Sequence, residues 1–330
     1  MGVLVLSDAD VHEVLTPAGC EAAMTEALKA LAAGEAFVPL RSVMAPPRAQ
    51  GFMGLMPAWA AGAPDTFGLK AVCLMPGNRA RGIDTHQGVV VLFDGEDGMP
   101  QAILNAAAIT EIRTAAVTAA ATRALATDAA EVLGVLGSGV QARSHLRALA
   151  GVRPWREVRI FSPRAERAQA LSADGTELMG APIVSAVTSA REAVEGADVV
   201  VTATSSGEPV FEHAWLSDHA HVNAVGASSP TGRELPVETV AAAALFCDSR
   251  ESVRHEALEF RLAVEAGAIA GELHIRAELG EVLAGSDPGR TENDGITLFR
   301  SLGLGIEDLG AAQLAVAEAR ARGLGSEVAL

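Results

Sequence analysis

The sequence contains no tyrosine, and aromatic residues make up only 4% of its 330 residues. That scarcity disfavours the stacking platforms with which proteins bind single-stranded nucleic acid. Basic residues are outnumbered by acidic ones, and the resulting net charge of −16 argues against binding to a phosphate backbone. We therefore expect no nucleic-acid partner.

No apolar run approaches the roughly 18 residues that a membrane-spanning helix requires, so no membrane segment is predicted. The N-terminal stretch has no basic region and turns acidic at once, which is not typical of a secretory signal peptide. Cys20, Cys73 and Cys247 form no C-x-x-C pair, so they predict no metal site and fit reduced thiols. We expect a cytoplasmic protein.

Residues 1–105 are predicted to form a helix followed by several strands. Thr16-Pro17 is a helix start and Gly34 a helix stop, so the helix is predicted over residues 17–33. Strand-like runs then follow without intervening helices, which favours a mixed or antiparallel sheet. These runs are FVPLRSVM, GFMGLMP, FGLKAVCLM, GVVVLFD and QAIL. One alanine-rich helix is predicted next, over about residues 106–126.

From residue 131 to about 300, short β-rich runs alternate with helices, a pattern typical of βαβ units on a parallel sheet. The last stretch, IEDLGAAQLAVAEARARG, is predicted to be an amphipathic helix. The β-rich runs are EVLGVLG, EVRIFS, ADVVVTAT, HAHVNAVG and ALFCD.

The first of these runs leads into Gly137-Ser138-Gly139-Val140-Gln141-Ala142, a GxGxxA turn between a strand and a helix. Gly137 permits a tight turn, Gly139 lets the backbone approach a pyrophosphate, and Ala142 allows close packing of helix on strand. The helix that starts near Val140 presents its N–H groups and positive dipole end to the phosphates. The position of the turn at the head of a βαβ series predicts a dinucleotide site.

The second strand of that series lacks the acidic residue that usually bonds the ribose of NAD. It ends Ser162-Pro163-Arg164 instead, and Arg167 follows in the next helix. Ser162 and the arginines suit a 2′-phosphate, so NADP(H) is favoured and NAD(H) is the alternative. Arginines that are merely solvated helix residues are also compatible with the pattern.

Several segments along the chain carry a family resemblance. They are Arg41-Ser42-Val43, Leu55-Met56-Pro57, GLKAV with Lys70, Thr85-His86-Gln87-Gly88, ITEIRTAA over residues 109–116, LGSGVQA, HVNAVGASSP, AELGEVLAG and TLFRSLGLGIEDL. Together they resemble the ornithine cyclodeaminase/μ-crystallin family over nearly the whole chain. Members of that family include cyclodeaminases, alanine dehydrogenases, cyclic ketimine reductases and crystallins.

The resemblance implies an α/β protein in which a Rossmann dinucleotide-binding domain is inserted into a second, α+β domain. The inserted domain is expected to span residues 118–302. Residues 1–117 and 303–330 are expected to form the substrate-binding and dimerisation domain, so the protein is expected to be a homodimer. The order of strands, βαβ units and final helix agrees with this division.

Three basic residues are candidates for substrate binding. Lys70 lies in an apolar strand, where a lysine either faces outward or is buried with a depressed pKa. Arg41 and Arg113 lie in similarly apolar surroundings, and arginine suits bidentate contact with a carboxylate. The resemblance gives Lys70, Arg41 and Arg113 the role of binding an α-carboxylate and of catalysis. A surface ion pair is the alternative for the two arginines.

The resemblance also implies the residues that contact the cofactor. Thr114 is expected beside the phosphate loop, and Ser228 with the backbone around Gly226 is expected to line the nicotinamide pocket. For His86, a structural role is an equal alternative. The expected cofactor contacts are Thr85, His86, Arg113, Thr114, Gly137, Ser138, Gly139, Val140, Gln141, Ser162, Arg164, Thr202, Ala203, Thr204, Val225, Gly226 and Ser228.

Two positions depart from the cyclodeaminase pattern. Ser228 stands where the cyclodeaminases have an aspartate after the VGG-type turn, and Gly54 stands where they carry a glutamate before LMP. Without both carboxylates, the second ammonium of ornithine would lack its counter-charges, at a cost of several kcal/mol in a desolvated site. Ala227-Ser228 instead resembles the ketimine reductase and μ-crystallin pattern.

We therefore expect an NAD(P)H-dependent imine or ketimine reductase or L-amino acid dehydrogenase, which moves hydride between nicotinamide and the α-carbon of a 2-imino acid. Its expected partner is a small imino or amino acid. The alternatives are a cyclodeaminase that retains NAD tightly and a non-catalytic, crystallin-like NADP-binding protein.

Overall fold

The computed structural model describes residues 2–180, 183–228 and 232–329. The chain forms two compact units. The first unit comprises residues 1–113 and 304–330, and the second comprises residues 114–303. The division therefore falls within one long helix and again just before the last helix. Which ligand each unit binds stays a prediction.

The first unit combines an eight-stranded mixed sheet with helices. Its helices begin at the residues that cap them: Thr16 accepts a hydrogen bond from the backbone of Gly19, and Asn105 accepts one from Ala108. Its elements are β1 (Val3–Leu6), α1 (Asp8–Val14), α2 (Pro17–Ala32), β2 (Ala36–Phe37), β3 (Ser42–Met44), β4 (Phe52–Ala60), β5 (Thr66–Leu74), β6 (His86–Asp94), β7 (Pro100–Asn105), α3 (Ala106–Leu125, which continues into the second unit), α11 (Gly305–Arg322) and β16 (Ser326–Val328).

The strand order of this sheet is β16-β1-β7-β6-β5-β4-β2, with β3 also paired to β4. Only β1 and β7 run parallel; the other pairs are antiparallel, so the expected mixed sheet is confirmed. Helix α11 packs against β4, β5 and β6 on one face of the sheet. That face therefore belongs to the core.

The second unit is a doubly wound sheet with helices between its strands. Its elements after α3 are β8 (Val132–Leu136), α4 (Val140–Leu149), β9 (Glu157–Phe161), α5 (Ala165–Met179), β10 (Val184–Ala186), α6 (Ala190–Val194), β11 (Val199–Thr202), β12 (His221–Ala224), α7 (Val237–Ala242), β13 (Ala244–Cys247), α8 (Arg250–Glu256), α9 (Leu258–Glu265), β14 (Ile275–Glu278), α10 (Leu279–Leu283) and β15 (Thr297–Arg300).

Its strand order is β10-β9-β8-β11-β12-β15-β13-β14, and every pair is parallel. From β8 the sheet grows in one direction through β9 and β10, and from β11 it grows in the other direction. The carboxyl ends of β8 and β11 are therefore the topological switch point at which such sheets bind ligands. β8, β11 and β12 are buried along their whole length. This is the Rossmann arrangement expected from the βαβ pattern.

One sequence expectation is wrong. FVPLRSVM is not one strand: it is interrupted between β2 and β3, where Pro39 has no N–H to donate, and Arg41 lies in the connecting segment. The expected last helix is present as α11, and its first turn is buried. Glu307 and Asp308 are both buried there, because α11 packs between the sheet and α2.

The part of the chain that the structure describes contains no helix long and apolar enough to cross a membrane. Among the same residues, no group of three or more histidine, cysteine or acidic side chains is placed to hold a metal ion. Cys20, Cys73 and Cys247 are free thiols.

Candidate active site

Lys70 lies in the middle of β5, where it pairs with Met56 on one side and Val90 on the other. Alternation along the strand turns its side chain toward the face covered by α11, and only 3% of it is exposed. Of the two alternatives left open by the sequence, the structure therefore shows the buried lysine.

Two glycines allow α11 to approach the sheet closely at this point. A Cβ on Gly68 would lie 3.0–3.1 Å from the side chain of Leu309, and a Cβ on Gly305 would lie 2.7 Å from the carbonyl oxygen of Pro57. Larger residues at either position would push the helix away. The first turn of α11 is thereby brought down onto β5, and Asp308 reaches Lys70.

Four buried charged side chains meet there. Lys70 Nζ lies 2.7 Å from Oδ2 and 2.9 Å from Oδ1 of Asp308, and it also donates to Thr110 Oγ1 at 3.3 Å. Arg113 donates through Nε to Asp308 Oδ1 at 2.9 Å and through Nη1 to Glu307 Oε2 at 2.6 Å. The two positive charges and the two negative charges thus balance one another within the core. We call Lys70, Arg113, Glu307 and Asp308 the buried ion cluster.

Burial and charge act in opposite directions on this cluster. Burial lowers the pKa of Lys70 to about 8, against the opposing effect of the Asp308 charge. Burial alone would raise the pKa of Asp308, but the charges of Arg113 and Lys70 outweigh it and hold that pKa below its ordinary value. The lysine is therefore suited to gain and lose a proton near neutral pH, while the aspartate stays ionised.

The structure brings the three predicted basic residues into one region of the first unit. Arg113 and Lys70 share Asp308 as a partner. Arg41 is half-buried and near enough for its charge to lower the pKa of Lys70 further. The alternative that the sequence left open, a surface ion pair, is wrong for Arg113, because only 4% of this residue is exposed.

The glycine-rich turn of the second unit fits a dinucleotide. Gly137 has a φ of +132°, and a Cβ there would lie 2.4 Å from the carbonyl oxygen of Ala203. Gly139 is exposed, with nothing within 4 Å of a Cβ position, so the space above it is open. It is also the N-cap of α4 and provides no capping side chain, which leaves the helix start for an anion.

Apart from Thr114, the predicted cofactor residues of this unit lie at the carboxyl ends of four parallel strands. Residues 137–141 follow β8, Ser162 and Arg164 follow β9, residues 202–204 end and follow β11, and residues 225–228 follow β12. Backbone hydrogen bonds extend the pairing past the strand ends, from Ala203 N to Leu136 O and from Gly137 N to Phe161 O. These predicted cofactor residues therefore lie together at one edge of the sheet.

Ser162 joins the glycine turn to the segment after β9. Its Oγ accepts from Ser138 Oγ at 2.9 Å and from the backbone of Arg164 at 3.3 Å. Arg164 is the exposed N-cap of α5, and Arg167 is exposed one turn further. A hydroxyl and two arginines thus stand where an acidic residue would bond a ribose.

The remaining predicted residues are more scattered. His86 is exposed at the start of β6 and bonds to Thr85 Oγ1 at 3.2 Å. Thr114 is buried in α3, and Ser228 is exposed after β12. In the motif HVNAVGASSP, Ser229 and Pro230 lie outside the described residues.

The sequence reasoning missed Glu307 and Asp308. Their signal was an acidic pair placed between apolar residues, Ile306 and Leu309, in the first turn of a helix rich in alanine. It also missed Glu234, a buried carboxylate beside the ends of β11 and β12. Charged residues of this kind are rarely buried unless they are paired, so sequence alone assigns them to the surface.

Comparison with known proteins agrees with this architecture. Ketimine reductase mu-crystallin of Mus musculus is 39% identical over 281 residues, which is 85% of each chain. The Δ1-pyrroline-2-carboxylate reductase of Thermococcus litoralis, in complex with NADH and L-proline, matches with a TM-score of 0.94 at 34% identity, over 99% of this chain and 100% of that one. An archaeal alanine dehydrogenase dimer with bound NAD matches with a TM-score of 0.92 at 32% identity, over 100% of both chains.

The family model for ornithine cyclodeaminase and mu-crystallin matches residues 2–323, which includes both units. The segments on which the sequence resemblance was based all lie within that range. The chain therefore belongs to the ornithine cyclodeaminase/mu-crystallin family.

Proposed function

We propose that this protein is an oxidoreductase that uses a nicotinamide dinucleotide to reduce the C=N bond of a 2-imino acid or cyclic ketimine, or to run the reverse reaction on an L-amino acid. The observation that carries the proposal is the buried Lys70, which Asp308 holds in place. The pKa of Lys70 is about 8. The relatives of this protein include a reductase bound to NADH and L-proline, and L-proline belongs to the proposed class of products.

The substrate carboxylate is bound by the basic residues of the first unit. Arg41 and Arg113 carry planar guanidinium groups, which suit two parallel hydrogen bonds to a carboxylate. Lys70 supplies a third positive charge near them, and Asp308 fixes its position. An α-carboxylate beside a C=N or C–N bond is therefore the recognition element that we propose.

The bound cofactor supplies or takes up the hydride at the α-carbon. In the reducing direction, Lys70 donates a proton to the imine nitrogen as the C=N electron pair becomes a nitrogen lone pair, and it is then reprotonated from solvent. In the oxidising direction, neutral Lys70 removes that proton. Asp308 stays ionised throughout and keeps the ammonium oriented.

Ornithine cyclodeaminase chemistry is disfavoured by two positions. Gly54 has no side chain, and a Cβ there would meet only Val72, at 3.7 Å or more. Ser228 offers a hydroxyl in place of a carboxylate. A second substrate ammonium would thus find neither of the counter-charges that the cyclodeaminase pattern supplies.

A substrate panel tests the proposal. We expect loss of NADPH absorbance with Δ1-pyrroline-2-carboxylate or a related cyclic ketimine, or with pyruvate plus ammonia or methylamine. A protein that converts ornithine and releases ammonia without net consumption of cofactor is a cyclodeaminase. Absence of turnover with every member of the panel, despite cofactor binding, would point to the non-catalytic alternative.

We further propose that NADP(H) is preferred to NAD(H). Ser162 Oγ accepts from two neighbours and retains its own proton to donate to a 2′-phosphate, and Arg164 with Arg167 adds positive charge. We expect a lower Kd for NADPH than for NADH in fluorescence titration. Ser162→Asp should reverse the order, because it repels the phosphate and accepts from ribose hydroxyls. Equal Kd values in the unmodified protein would refute the preference.

We infer that the protein is a homodimer that pairs through the second face of the first unit's sheet. Cross-strand neighbours Trp59, Phe67 and Phe93 form one row on this face, and Leu69 pairs with Val91 in the next. Phe67 is 50% exposed. A contiguous apolar surface of this kind marks a protein interface, most simply across a two-fold axis.

The dimer is tested by placing a charge in the middle of that face. Val91→Glu should give a folded monomer in analytical ultracentrifugation at micromolar concentration, because an uncompensated carboxylate in an apolar interface is costly. Val264→Glu is the matched control, since that valine is 39% exposed on α9 of the second unit, and it should remain dimeric. A monomeric unmodified protein, or a dimer that tolerates Val91→Glu, would contradict this interface.

A further inference from the structure

Glu234 is a carboxylate buried at the edge of the second unit where four strands end. Only 1% of it is exposed, and it comes from the segment between β12 and α7. Its Oε1 accepts from Thr204 N at 2.7 Å. Its Oε2 accepts from Gly226 N at 2.7 Å, from Thr202 Oγ1 at 2.9 Å and from Ala227 N at 3.3 Å. One side chain therefore binds the segments after β11 and β12 together.

Arg300 holds the same segment from another direction. It is 2% exposed, donates to the carbonyl oxygens of Ala224 and Ala227, and is paired with the buried Glu259. Both the N–H and the C=O of Ala227 are thus bound by buried side chains. The backbone at Ala227 is therefore held from two directions.

The two segments also touch at Gly226. A Cβ there would lie 2.2 Å from the carbonyl oxygen of Thr204 and 2.5 Å from Glu234 Oε1, so only glycine fits. The ends of β11 and β12 therefore form one rigid rim, and the carboxylate lies behind it.

The direction of these bonds decides what the rim offers to a ligand. In a trans peptide the N–H and the C=O point in opposite directions. Because the N–H groups of Thr204, Gly226 and Ala227 point to Glu234, the carbonyls of Ala203, Val225 and Gly226 point away from it. The Ala203 oxygen lies 2.4 Å from the Cβ position of Gly137, on the side of the glycine turn. The rim consequently presents hydrogen-bond acceptors to the crevice above that turn.

We propose that Glu234 is a positioning residue that makes this rim a receptor for N–H or O–H donors, specifically the carboxamide NH₂ of the cofactor's nicotinamide ring. The assignment rests on the proposed cofactor, since the nicotinamide half of a dinucleotide lies beyond the switch point from the adenine half. A carboxamide held through its NH₂ group has a fixed ring orientation, and ring orientation determines which face of C4 meets the substrate.

The test compares ligands that share the adenine half and differ only at the carboxamide. Calorimetric Kd values are measured for adenosine 2′,5′-bisphosphate, NADP⁺ and its 3-acetylpyridine analogue, in which a methyl group replaces NH₂. We expect the unmodified protein to bind NADP⁺ about fivefold or more tightly than the analogue, because the analogue leaves acceptors unpaired. Glu234→Gln should bind the two dinucleotides equally. The amide NH₂ of glutamine is a donor and cannot accept from the backbone N–H groups, so the peptide groups of the rim are no longer held in one orientation.

Asp198→Asn is the matched control. Asp198 accepts from the backbone N–H groups of Glu131 and Val132 at the opposite edge of the same sheet. Its replacement by asparagine therefore also turns an acceptor carboxylate into an amide, but at a site away from the rim. It should keep the discrimination between NADP⁺ and the analogue. Adenosine 2′,5′-bisphosphate should bind all three proteins within about twofold, because the adenine half does not reach the rim.

Three results would overturn the proposal: discrimination that survives in Glu234→Gln, equal loss of discrimination in Asp198→Asn, or a parallel fall in affinity for the bisphosphate. If Glu234→Gln does not fold, Thr202→Val removes a single bond to the carboxylate and should reduce the discrimination about twofold; unchanged discrimination there would count against the role. Failure of the unmodified protein to bind any of the three ligands would instead refute the proposed cofactor.

Discussion

Replacing Lys70 by methionine should reduce kcat/KM for imine reduction by about 100-fold or more, because both a charge-assisted hydrogen bond and the proton donor are lost. The fold should survive, since methionine is similar in length and suits the apolar strand around it. Asp308 also keeps Arg113 as a partner in this variant. The measurement is steady-state reduction of a cyclic ketimine, with NADPH affinity expected to remain unchanged.

The chain offers a close control for this substitution, because Lys29 is its only other lysine. Lys29 pairs with Glu26 on the exposed side of α2, so Lys29→Met should leave kcat/KM within about twofold of the parent. A Lys70→Met variant within about threefold of the parent would show that Lys70 is only a strand residue. The proposed site would then be wrong.

Replacing Asp308 by asparagine should affect stability and catalysis together. Removing one partner of a buried ion pair typically costs about 3 kcal/mol or more, and here it leaves Lys70 and Arg113 with Glu307 as the remaining carboxylate of the buried ion cluster. The free energy of unfolding in urea should fall by about that amount. The rate of reduction at neutral pH should fall about tenfold or more, because Lys70 loses the charge that keeps it protonated.

The pH dependence separates these two effects. The Asp308 charge raises the pKa of Lys70, so Asp308→Asn should move the alkaline decline of kcat/KM to a lower pH than in the parent. A purely structural loss would lower the rate without moving the decline. The double variant Lys70→Met/Asp308→Asn should be more stable than Asp308→Asn alone, since one of the cations left without Asp308 is then removed.

Much of the second unit could be predicted from its sequence because its signals are local. The GxGxxA turn, the strand before it and the helix after it lie within twenty residues or so, and their periodicities differ clearly. The expected strands β8, β9, β11, β12 and β13 are all present. Strands β10, β14 and β15 were not separately predicted.

The buried ion cluster could not be predicted in the same way. Lys70 and Asp308 are 238 residues apart, and their contact depends on how closely α11 approaches β5, which two glycines determine. The sequence indicated a lysine that was either exposed or buried, but nothing in it identified Asp308 as the partner. The contacts of Glu234 were equally hidden, since three of its four donors are backbone N–H groups and the fourth, Thr202 Oγ1, is 32 residues away in the sequence.

The central claim is that Lys70 acts as the acid in imine reduction, and the pH dependence of kcat/KM for NADPH-dependent reduction of Δ1-pyrroline-2-carboxylate tests it most directly. Burial places the pKa of Lys70 at about 8, and reduction requires its protonated form. We predict that kcat/KM declines as the pH rises through about 8 and falls about tenfold per pH unit above it. A kcat/KM that stays constant from pH 7 to about pH 10, with the protein still folded, would contradict the account.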